Sequence, residues 1–351
     1  MRTFRAVVVG LGAISTEWLR VLGGRGDVEV VALVDFDATR AAAQRSAFGL
    51  LCPVGSDLES AIGEQRADLV VVLTPPALHR EVAEPALAAG CDVIVEKPLA
   101  AEIRDAVALV EVAQAAGRTL AVMQNRRYHP AIRALREHVA RGSIGVPVDI
   151  AVDMFLWHRF PNTFLAEIDS PLLRDMAIHQ FDAARAISGA DARTVQALEW
   201  NSPASWMAGA AAATATFELS NGTVFSYRGS WVAEGAATSY DGVWRICGTR
   251  GALTWDGTGD VVLETVKRPA GPYEPGTETR TRHASNFEPG TTSHALALAA
   301  ILESLRAGEA PETVARDNLL SLAMVDSALR SSRARQTVEV ADVLVDAGWA
   351  A

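Results

Sequence analysis

The first strand and the turn that follows it decide the fold of this chain: Phe4-Arg5-Ala6-Val7-Val8-Val9-Gly10-Leu11-Gly12-Ala13-Ile14-Ser15. The valine run has no polar alternation, which is typical of a strand buried on both faces of a parallel sheet. The glycines fit the G-x-G-x-x-G pattern, with serine as the third small residue. In that pattern the backbone approaches a pyrophosphate closely, and a helix begins beneath it. We therefore predict cofactor contacts at Gly10, Gly12, Ala13 and Ile14.

The second strand, Val28–Val34, ends at Asp35, where an acid that binds ribose is expected in such a unit. A carboxylate here would accept hydrogen bonds from the adenosine ribose and repel a 2′-phosphate. The sequence thus favours NAD over NADP. The alternative is a glycine turn and a surface aspartate with no ligand.

Strand-like and helix-like segments continue to alternate over the first third of the chain. The strands are Leu69–Leu73, Asp92–Val95 and Thr119–Met123, and the helices include Glu81–Ala89 and Ile103–Ala116. This alternation predicts a parallel α/β sheet, a Rossmann domain over residues 1–124. Open sheets of this kind bind ligands at the carboxyl ends of their strands, where this chain has Thr74, Pro75, His79, Glu96 and Lys97. For Lys97 alone, a structural ion pair with an acid is an equal alternative.

The pattern changes in the second part of the chain, residues 125–351. Two β-type runs, Ala211–Leu219 and Thr223–Trp231, flank an Asn-Gly turn at 221–222 and predict a hairpin. Further strands are expected at Gly242–Cys247, Ala252–Trp255 and Val261–Val266, then a long loop at Arg268–Gly290 and closing helices at Ser293–Arg306 and Glu312–Ser332. Consecutive hairpins indicate an α+β domain with a mostly antiparallel sheet.

Composition excludes several classes of protein. The 351 residues carry a net charge of −10, which repels the phosphates of nucleic acid. Apolar runs such as Ala208–Thr216 are too short to span a membrane. Three widely spaced cysteines and the brief apolar run Ala6–Val9 favour a cytoplasmic protein over a secreted one. Because the seven histidines form no motif of metal ligands, we expect no metal.

The chain resembles the Gfo/Idh/MocA family (glucose–fructose oxidoreductase, inositol dehydrogenase, MocA). The resemblance is carried in order, over nearly the whole length, by Gly10-x-Gly12-x-x-Ser15, Asp35, Thr74-Pro75-Pro76 with His79, Glu96-Lys97-Pro98, Asn125-Arg126-Arg127-Tyr128-His129-Pro130, Gly142-Ser143-Ile144-Gly145, Asp175-x-x-x-His179-x-x-Asp182 and Gly248-Thr249-Arg250-Gly251. One departure is Ser170-Pro171-Leu172-Leu173-Arg174, where many relatives have a run of glycines.

The resemblance implies an open, mostly antiparallel sheet in the second domain and NAD or NADP chemistry on sugars, polyols or related alcohols. It also implies a homodimer or homotetramer formed through that sheet, and a cis bond before Pro98. Lys97, Asp175 and His179 occupy the family's catalytic positions. Asn125 joins the predicted cofactor contacts, and the substrate contacts would be Arg126, Tyr128, Trp157 and His158. Arg127 follows the last parallel strand beside Arg126 and is a candidate contact of either the cofactor or the substrate.

Spacing supports part of this assignment. Asp175 and His179 are four residues apart on a predicted helix, so their side chains should share one face, together with Asp182. A carboxylate beside an imidazole fixes its tautomer and helps it to act as a base. We expect His179 to be the acid/base, Asp175 to orient it, and Lys97 to polarise the reacting oxygen. The alternative is a surface pair or a buried structural contact.

Three functions fit these patterns. The first is an NAD-dependent dehydrogenase of a secondary alcohol in a sugar, cyclitol or anhydrosugar. The second is an enzyme that recycles bound NAD, such as a sugar–sugar oxidoreductase or a glycosidase. The third is a sensor that binds NAD and a sugar without chemistry. Phe225, Tyr227 and Trp231 share one side of a strand and form either core or a subunit interface. No role is assigned to Asp182, His283 or His294.

Overall fold

A computed structural model describes residues 2–157, 159, 164–267, 277–284, 287–288 and 291–349. Two sheets organise these residues, one of six strands and one of nine. The six-stranded sheet is parallel throughout, and the nine-stranded sheet is antiparallel except where β7 (Pro147–Phe155) meets β10 (Val224–Ser230). The predicted fold class is confirmed.

The first sheet has the strand order β3-β2-β1-β4-β5-β6. Its strands are β1 (Phe4–Val9), β2 (Val28–Val34), β3 (Val54–Gly55), β4 (Leu69–Val72), β5 (Asp92–Val95) and β6 (Leu120–Val122), and its helices are α1 (Ser15–Gly23), α2 (Ala38–Ala47), α3 (Leu58–Gln65), α4 (His79–Ala88) and α5 (Ile103–Ala116). Val7, Val70 and Val93 are almost fully buried, as expected for strands covered on both faces. The pattern of apolar residues did not predict β3, because two residues are too few to show a periodicity.

The order of this sheet reverses between β1 and β4, which opens a crevice at the carboxyl ends of the strands. The far edge at β6 is protected, since the Val122 N–H donates to the Thr313 carbonyl at 2.8 Å. Because the crevice lies at the carboxyl ends of the strands, we expect ligands to enter there, beside the predicted site.

The second part of the chain has the strand order β14-β13-β12-β11-β7-β10-β9-β8-β15. Its remaining strands are β8 (Ala192–Trp200), β9 (Ala212–Leu219), β11 (Val243–Gly248), β12 (Gly251–Trp255), β13 (Val261–Lys267), β14 (Thr277–His283) and β15 (Val338–Glu339), and its helices are α6 (Pro130–Ala140), α7 (Ile178–Ser188), α8 (Ser293–Ala307), α9 (Ala315–Ala334) and α10 (Val340–Asp346). A π-helical turn, Leu172–Ala177, leads directly into α7.

The predicted hairpin is present, with Phe225 of β10 opposite Phe217 of β9. Both rings are fully buried and pack against Phe181 of α7, as does Tyr227. Trp231 is also buried. These aromatic residues form core, which removes them as candidates for a subunit interface.

The long loop expected at residues 268–290 was wrong in part. Thr277–His283 forms the edge strand β14 and pairs antiparallel with β13, so that Thr281 lies opposite Leu263. The strand alternates threonine with charged residues and has no apolar face, which is why the hydrophobic pattern missed it. Polar residues on such an edge discourage pairing with another chain.

Helix α8 crosses back onto the first sheet. Its Leu298, Ile301 and Leu302 are fully buried in one hydrophobic cluster with Trp18 and Leu22 of α1. The domain boundary at residue 124 therefore remains a prediction. In space, the first domain also includes α8, although α8 comes late in the chain.

The described part of the chain has neither a membrane-spanning helix nor a cluster of metal ligands. None of its helices is both long enough and apolar enough to cross a bilayer. Within the same residues, no three His, Cys, Asp or Glu side chains form a group suited to holding a metal ion.

Candidate active site

The turn after β1 forms the floor of the crevice. Gly10 has a φ of +89°, and a Cβ there would lie 2.7 Å from the Thr74 nitrogen, so only glycine fits between β1 and β4. A Cβ on Gly12 would meet no atom within 4 Å, because this residue faces open space. Helix α1 has no side-chain cap at its N-terminus. The turn is therefore suited to the close approach of an anionic group.

Asp35 lies at the end of β2 beside this turn. Its carboxylate accepts hydrogen bonds from the Leu11 N–H at 2.6 Å and the Asp37 N–H at 2.8 Å. Arg40 lies 3.7 Å from the same carboxylate, and its guanidinium stacks over the ring of Phe36, which is 84% exposed. The group predicted to contact ribose is thus fixed by backbone donors at the mouth of the crevice.

A cleft of about 1230 Å³ runs from this end to the carboxyl end of β5. The Thr74 hydroxyl, at the carboxyl end of β4, is buried and has no hydrogen-bond partner among the described residues. The open face of Gly12 and the unpartnered Thr74 hydroxyl suit a cofactor that brings an anionic group and further polar atoms into this cleft. The predicted residues that line it are Gly10, Gly12, Ala13, Ile14, Asp35, Thr74, Pro75, Glu96, Lys97 and Asp175.

Lys97 joins the two halves of the molecule at the inner end of the cleft. Its ammonium donates to the Asp175 carboxylate and to the Asp175 backbone carbonyl, both at 2.9 Å. The two side chains are 18% and 25% exposed. The peptide bond between Lys97 and Pro98 is cis. A partly desolvated ion pair therefore faces the cleft, where it can meet a ligand.

The structure corrects the expected contact between Asp175 and His179. The π-helical turn carries Asp175 to Lys97, while the Nδ1 atom of His179 lies 3.2 Å from the side-chain nitrogen of Gln124. A π-helical turn changes the spacing of side chains from that of an α-helix, so the four-residue rule does not apply across it. His179 is held by an amide rather than by a carboxylate.

His179 is 6% exposed and is not among the residues that line the cleft. Its pKa is well below the usual value, because burial disfavours the charged ring and the cations Lys97, Arg126 and His294 oppose a further positive charge. The imidazole is therefore neutral near pH 7.

Glu96 and His294 form a second polar group at this end of the cleft. Glu96 accepts from the Trp18 indole at 2.6 Å, and His294 lies 3.6 Å from the same oxygen. Burial alone would raise the pKa of Glu96, but its interactions with His294 and Trp18 lower it. Asn125 donates to Ser293 and contacts His294, so α8 supports this group from behind.

Arg126 faces the loop between β10 and β11. Its guanidinium is paired with the Asp241 carboxylate and lies 5.9 Å from the centre of the Tyr240 ring. Burial and the negative charge of Asp175 raise the pKa of Tyr240. Gln180 donates to the Tyr240 carbonyl at 3.1 Å and ties the loop to α7. Arg126 thus lies close enough to His179, and Tyr240 to Asp175, for their charges to interact.

Other predicted contacts do not reach the cleft. His79 is fully buried and bonded to the Thr74 and Pro98 carbonyls, so it positions two cleft loops rather than contacting a cofactor. Asn125 is turned toward α8 in the same way. Tyr128 is 4% exposed within the core and stacks beneath Arg133, so it cannot contact a substrate.

Arg127 and Asp182 are also structural. Arg127 donates to Asp182 at 2.8 Å, and Ser321 of α9 donates to the same carboxylate at 2.8 Å. Asp182 is fully buried and faces Arg127 instead of sharing a surface with Asp175 and His179. Burial would lower the pKa of Arg127, but Asp182 outweighs that effect and raises it. The expectation that Arg127 reaches a ligand was wrong.

Trp157 is not among the residues that line the cleft. Trp157 is partly buried against the core and pairs with Val232 through one β-bridge. His158 lies outside the described residues. His283, which had no assigned role, stacks against His138 with 4.2 Å between ring centres.

Three residues at the site carried no signal in the sequence: Gln124, Tyr240 and Asp241. Gln124 directly precedes a recognised motif, but its partner His179 lies 55 residues further on. Tyr240 and Asp241 lie in a loop whose position depends on the pairing of β10 and β11 with β7. Such contacts follow only from the tertiary structure.

These features fit an NAD(P)-dependent oxidoreductase acting on CH–OH groups: a parallel nucleotide-binding domain, an open glycine turn at its cleft, and a lysine–carboxylate pair at the inner end. Residues 4–124 match the family model described as "Oxidoreductase family, NAD-binding Rossmann fold", and residues 136–340 match "Oxidoreductase family, C-terminal alpha/beta domain". The chain belongs to the Gfo/Idh/MocA family.

Its similarity to individual proteins is more distant. The D-apiose dehydrogenase of Paraburkholderia graminis is 28% identical over 99% of this chain and 92% of its own length. Inositol 2-dehydrogenase 3 of Saccharopolyspora erythraea is 34% identical over 52% of this chain and 53% of its own. An oxidoreductase from Agrobacterium radiobacter, solved with NAD⁺, L-tartaric acid and magnesium, has a TM-score of 0.86 and 22% identity, covering 97% of this chain and 99% of its own. The last likeness shows a shared fold.

Proposed function

We propose that this protein transfers hydride between NAD and a secondary alcohol or ketone of an uncharged sugar, cyclitol or anhydrosugar. The observation that carries the proposal is the Lys97–Asp175 pair, which faces the inner end of the dinucleotide cleft. NAD would supply the hydride acceptor at its nicotinamide ring. Lys97, Asp175 and His179 would contact or surround the reacting oxygen, and Lys97 or His179 would handle its proton.

The predicted cofactor residues would contact different parts of NAD along the cleft. Gly10, Gly12, Ala13 and Ile14 would receive the pyrophosphate, Asp35 the adenosine ribose, and Thr74, Pro75 and Glu96 the nicotinamide half. The orphaned hydroxyl of Thr74 supports this arrangement, because a buried polar atom without a partner is costly unless a ligand satisfies it.

Asp35 leads us to expect NAD rather than NADP. A 2′-phosphate would lie against a carboxylate whose position is fixed by two backbone N–H groups. Arg40 is already paired with that carboxylate and offsets the repulsion only in part. We expect kcat/KM for NADP to be lower than that for NAD by about tenfold or more, since like charges brought together cost upward of about 1.4 kcal/mol. Equal values measured with one alcohol would remove Asp35 as the selector.

The charges at the inner end favour an uncharged substrate. Lys97 is paired with Asp175, Arg126 with Asp241, and His294 with Glu96. Among the described residues at this end of the cleft, both Lys97 and Arg126 therefore have a carboxylate partner, so neither is free to bind a substrate acid. Paired donors and acceptors of this kind are suited to hydroxyl groups, which both give and accept hydrogen bonds.

Asp241→Asn tests this charge balance. With Arg126 released, kcat/KM for an aldonate or uronate relative to the matching neutral sugar should rise by about 10- to 100-fold, because a charge-assisted hydrogen bond contributes about 1.5–3 kcal/mol. Asp105→Asn is the matched control, since it removes a carboxylate from an exposed pair with Arg80. An unchanged ratio in Asp241→Asn would show that Arg126 does not face the substrate.

A spectrophotometric screen tests the function itself. NAD and NADP are offered with cyclitols, aldoses and anhydrosugars, and the formation of NADH or NADPH is followed. Turnover with an uncharged alcohol is expected. Stoichiometric release of NADH with one substrate excludes recycling of bound NAD. Sugar binding at micromolar concentration without any turnover would favour the sensor instead.

We also propose that two copies associate through the outer face of the nine-stranded sheet, as a homodimer or as part of a homotetramer. The inner face is covered by α7 and α9, whereas Val224 of β10 and Val243 of β11, on the opposite face of the central strands, remain 36% and 41% exposed. Sedimentation velocity should give at least twice the mass of 37.3 kDa. A monomer at micromolar concentration would contradict this.

A further inference from the structure

Glu96 is a buried carboxylate in the wall of the cleft. It directly follows β5, and its side chain is 11% exposed. One of its oxygens accepts from the Trp18 indole N–H at 2.6 Å, and the other accepts from the Lys97 backbone N–H at 3.1 Å. Burial would raise the pKa of Glu96, but its interactions with His294 and Trp18 lower it below the ordinary value. Glu96 is therefore an anion near pH 7.

His294 of α8 supports this anion from behind. Its Nε2 atom lies 3.6 Å from the oxygen that accepts from Trp18, and its ring meets the indole edge-on with 6.4 Å between ring centres. Its Nδ1 atom lies 3.1 Å from the side-chain nitrogen of Asn125, which also donates to Ser293. An imidazole that accepts at Nδ1 carries its hydrogen at Nε2, which faces Glu96. His294 thus turns an N–H toward the carboxylate as a neutral ring.

Three groups that can carry a positive charge lie near Glu96: Lys97, His294 and His79. The Lys97 ammonium donates to the Asp175 carboxylate at 2.9 Å, so those two charges offset each other. Burial lowers the pKa of His79, which is therefore neutral near pH 7. Since His294 is also neutral, these described groups leave one net negative charge, on Glu96, at this end of the cleft.

We infer that Glu96 makes the site prefer NAD⁺ to NADH, and that Trp18 and His294 are positioning residues that hold its charge at the cleft. The inference rests on the proposed function, which assigns the nicotinamide half of the cofactor to this part of the cleft. The nicotinamide ring carries a positive charge in NAD⁺ and none in NADH, whereas the rest of the molecule has the same charge in both. A fixed negative charge here therefore stabilises only the oxidised form.

Coulomb's law gives the size of this preference. At an effective dielectric constant of about 20, the attraction of opposite unit charges about 7 Å apart changes a binding constant by more than about tenfold. Salt screens exposed charges, but the side chain of Glu96 is largely buried, so the screening is weak. We expect the ratio of the Kd for NADH to the Kd for NAD⁺ to be about 10- to 100-fold higher than it would be without this charge.

Such a preference favours one of the three candidate functions. A dehydrogenase that exchanges its cofactor must take up NAD⁺ and release NADH after each oxidation. An enzyme that recycles its cofactor must instead retain both forms. Because Glu96 strengthens the binding of NAD⁺ alone, its charge is suited to the first of these and not to the second.

Calorimetric titrations with NAD⁺ and with NADH test the inference without any turnover. In Glu96→Gln the ratio of the two Kd values should fall by about 10- to 100-fold, through weaker binding of NAD⁺. Glu59→Gln is the matched control, because Glu59 lines the same cleft after β3, and three strands separate β3 from β5. At about 4.8 Å per strand the two positions are well beyond the Debye length of about 8 Å, so the control should keep the wild-type ratio. An unchanged ratio in Glu96→Gln would overturn the inference.

Two variants of His294 test the positioning role and decide the matter if Glu96→Gln does not fold. His294→Leu removes the N–H beside Glu96, so burial should raise the pKa of the carboxylate and the ratio should fall by about threefold or more. His294→Gln keeps an N–H donor and should restore part of the ratio. A merely structural role would weaken the binding of both cofactors equally and leave the ratio as it is, which would contradict the inference.

The same titrations separate the inference from the proposed function. If the wild-type protein binds neither NAD⁺ nor NADH, the proposed function fails. If it binds both forms and the ratio is the same in the wild-type protein, Glu96→Gln and His294→Leu, the site is a cofactor site and only the role of Glu96 is wrong.

Discussion

Lys97→Ala should reduce kcat/KM by about 10²- to 10⁴-fold while NAD continues to bind. Loss of a group that donates or accepts the proton of the reacting oxygen has effects of this size. The ammonium lies at the inner end of the cleft, 2.9 Å from Asp175, whereas the glycine turn and Asp35 are formed by other strands. The chemical step should therefore be lost without loss of the dinucleotide site.

The prediction for Lys97→Ala is tested by measuring NAD affinity and kcat/KM. NAD affinity by calorimetry should change by less than about tenfold, since most cofactor contacts remain. Arg80→Ala is the control, because it removes an exposed cation of the same domain that is paired with Glu84 and Asp105. If kcat/KM of Lys97→Ala remained within a few-fold of the wild-type value, the ammonium would have no part in the chemistry.

Arg127→Met should destabilise the fold by about 3–5 kcal/mol and leave the KM for NAD unchanged. The guanidinium is 7% exposed and paired with fully buried Asp182. Removing one partner of a buried ion pair leaves an unpaired charge in a medium that solvates it poorly. The pair also links the segment after β6 to α7, and Ser321 ties it to α9, so the cost falls on the packing of the second domain.

Urea denaturation measures this effect. The matched control is Arg133→Met, since Arg133 is 33% exposed and its partner Glu312 is 41% exposed. That change should cost no more than about 1 kcal/mol, as is usual for surface pairs. A raised KM for NAD in Arg127→Met, with an unchanged free energy of unfolding, would return Arg127 to the list of cofactor contacts.

Much of the fold could be predicted because the evidence was local. The apolar strands and the glycine turn are short segments whose physical meaning hardly depends on the rest of the chain. The Asn-Gly turn that joins β9 to β10 is equally local. By contrast, β14 is a polar edge strand recognisable only by its pairing with β13, and α8 finds its place only against α1.

The residues of the candidate site show the same difference between local and long-range evidence. Gly10, Asp35 and Lys97 follow strands, and their positions were predictable from the topology of parallel sheets. The spacing of Asp175 and His179 suggested a direct contact, but that rule assumes an α-helix and the chain forms a π-helical turn there. Whether Arg127 is exposed or buried depends on Asp182, 55 residues away, and no local pattern encodes that distance.

Transfer of deuterium tests the proposed chemistry most directly. The neutral sugar or cyclitol with the highest turnover is labelled with deuterium at its carbinol carbons and mixed with the protein and NAD. The mixture is denatured so that bound cofactor is also released, and the nicotinamide is analysed by mass spectrometry. We expect deuterium on the nicotinamide ring with the wild-type protein and almost none with Lys97→Ala in the same time. Binding of the sugar with no deuterium in the cofactor would contradict hydride transfer at this site.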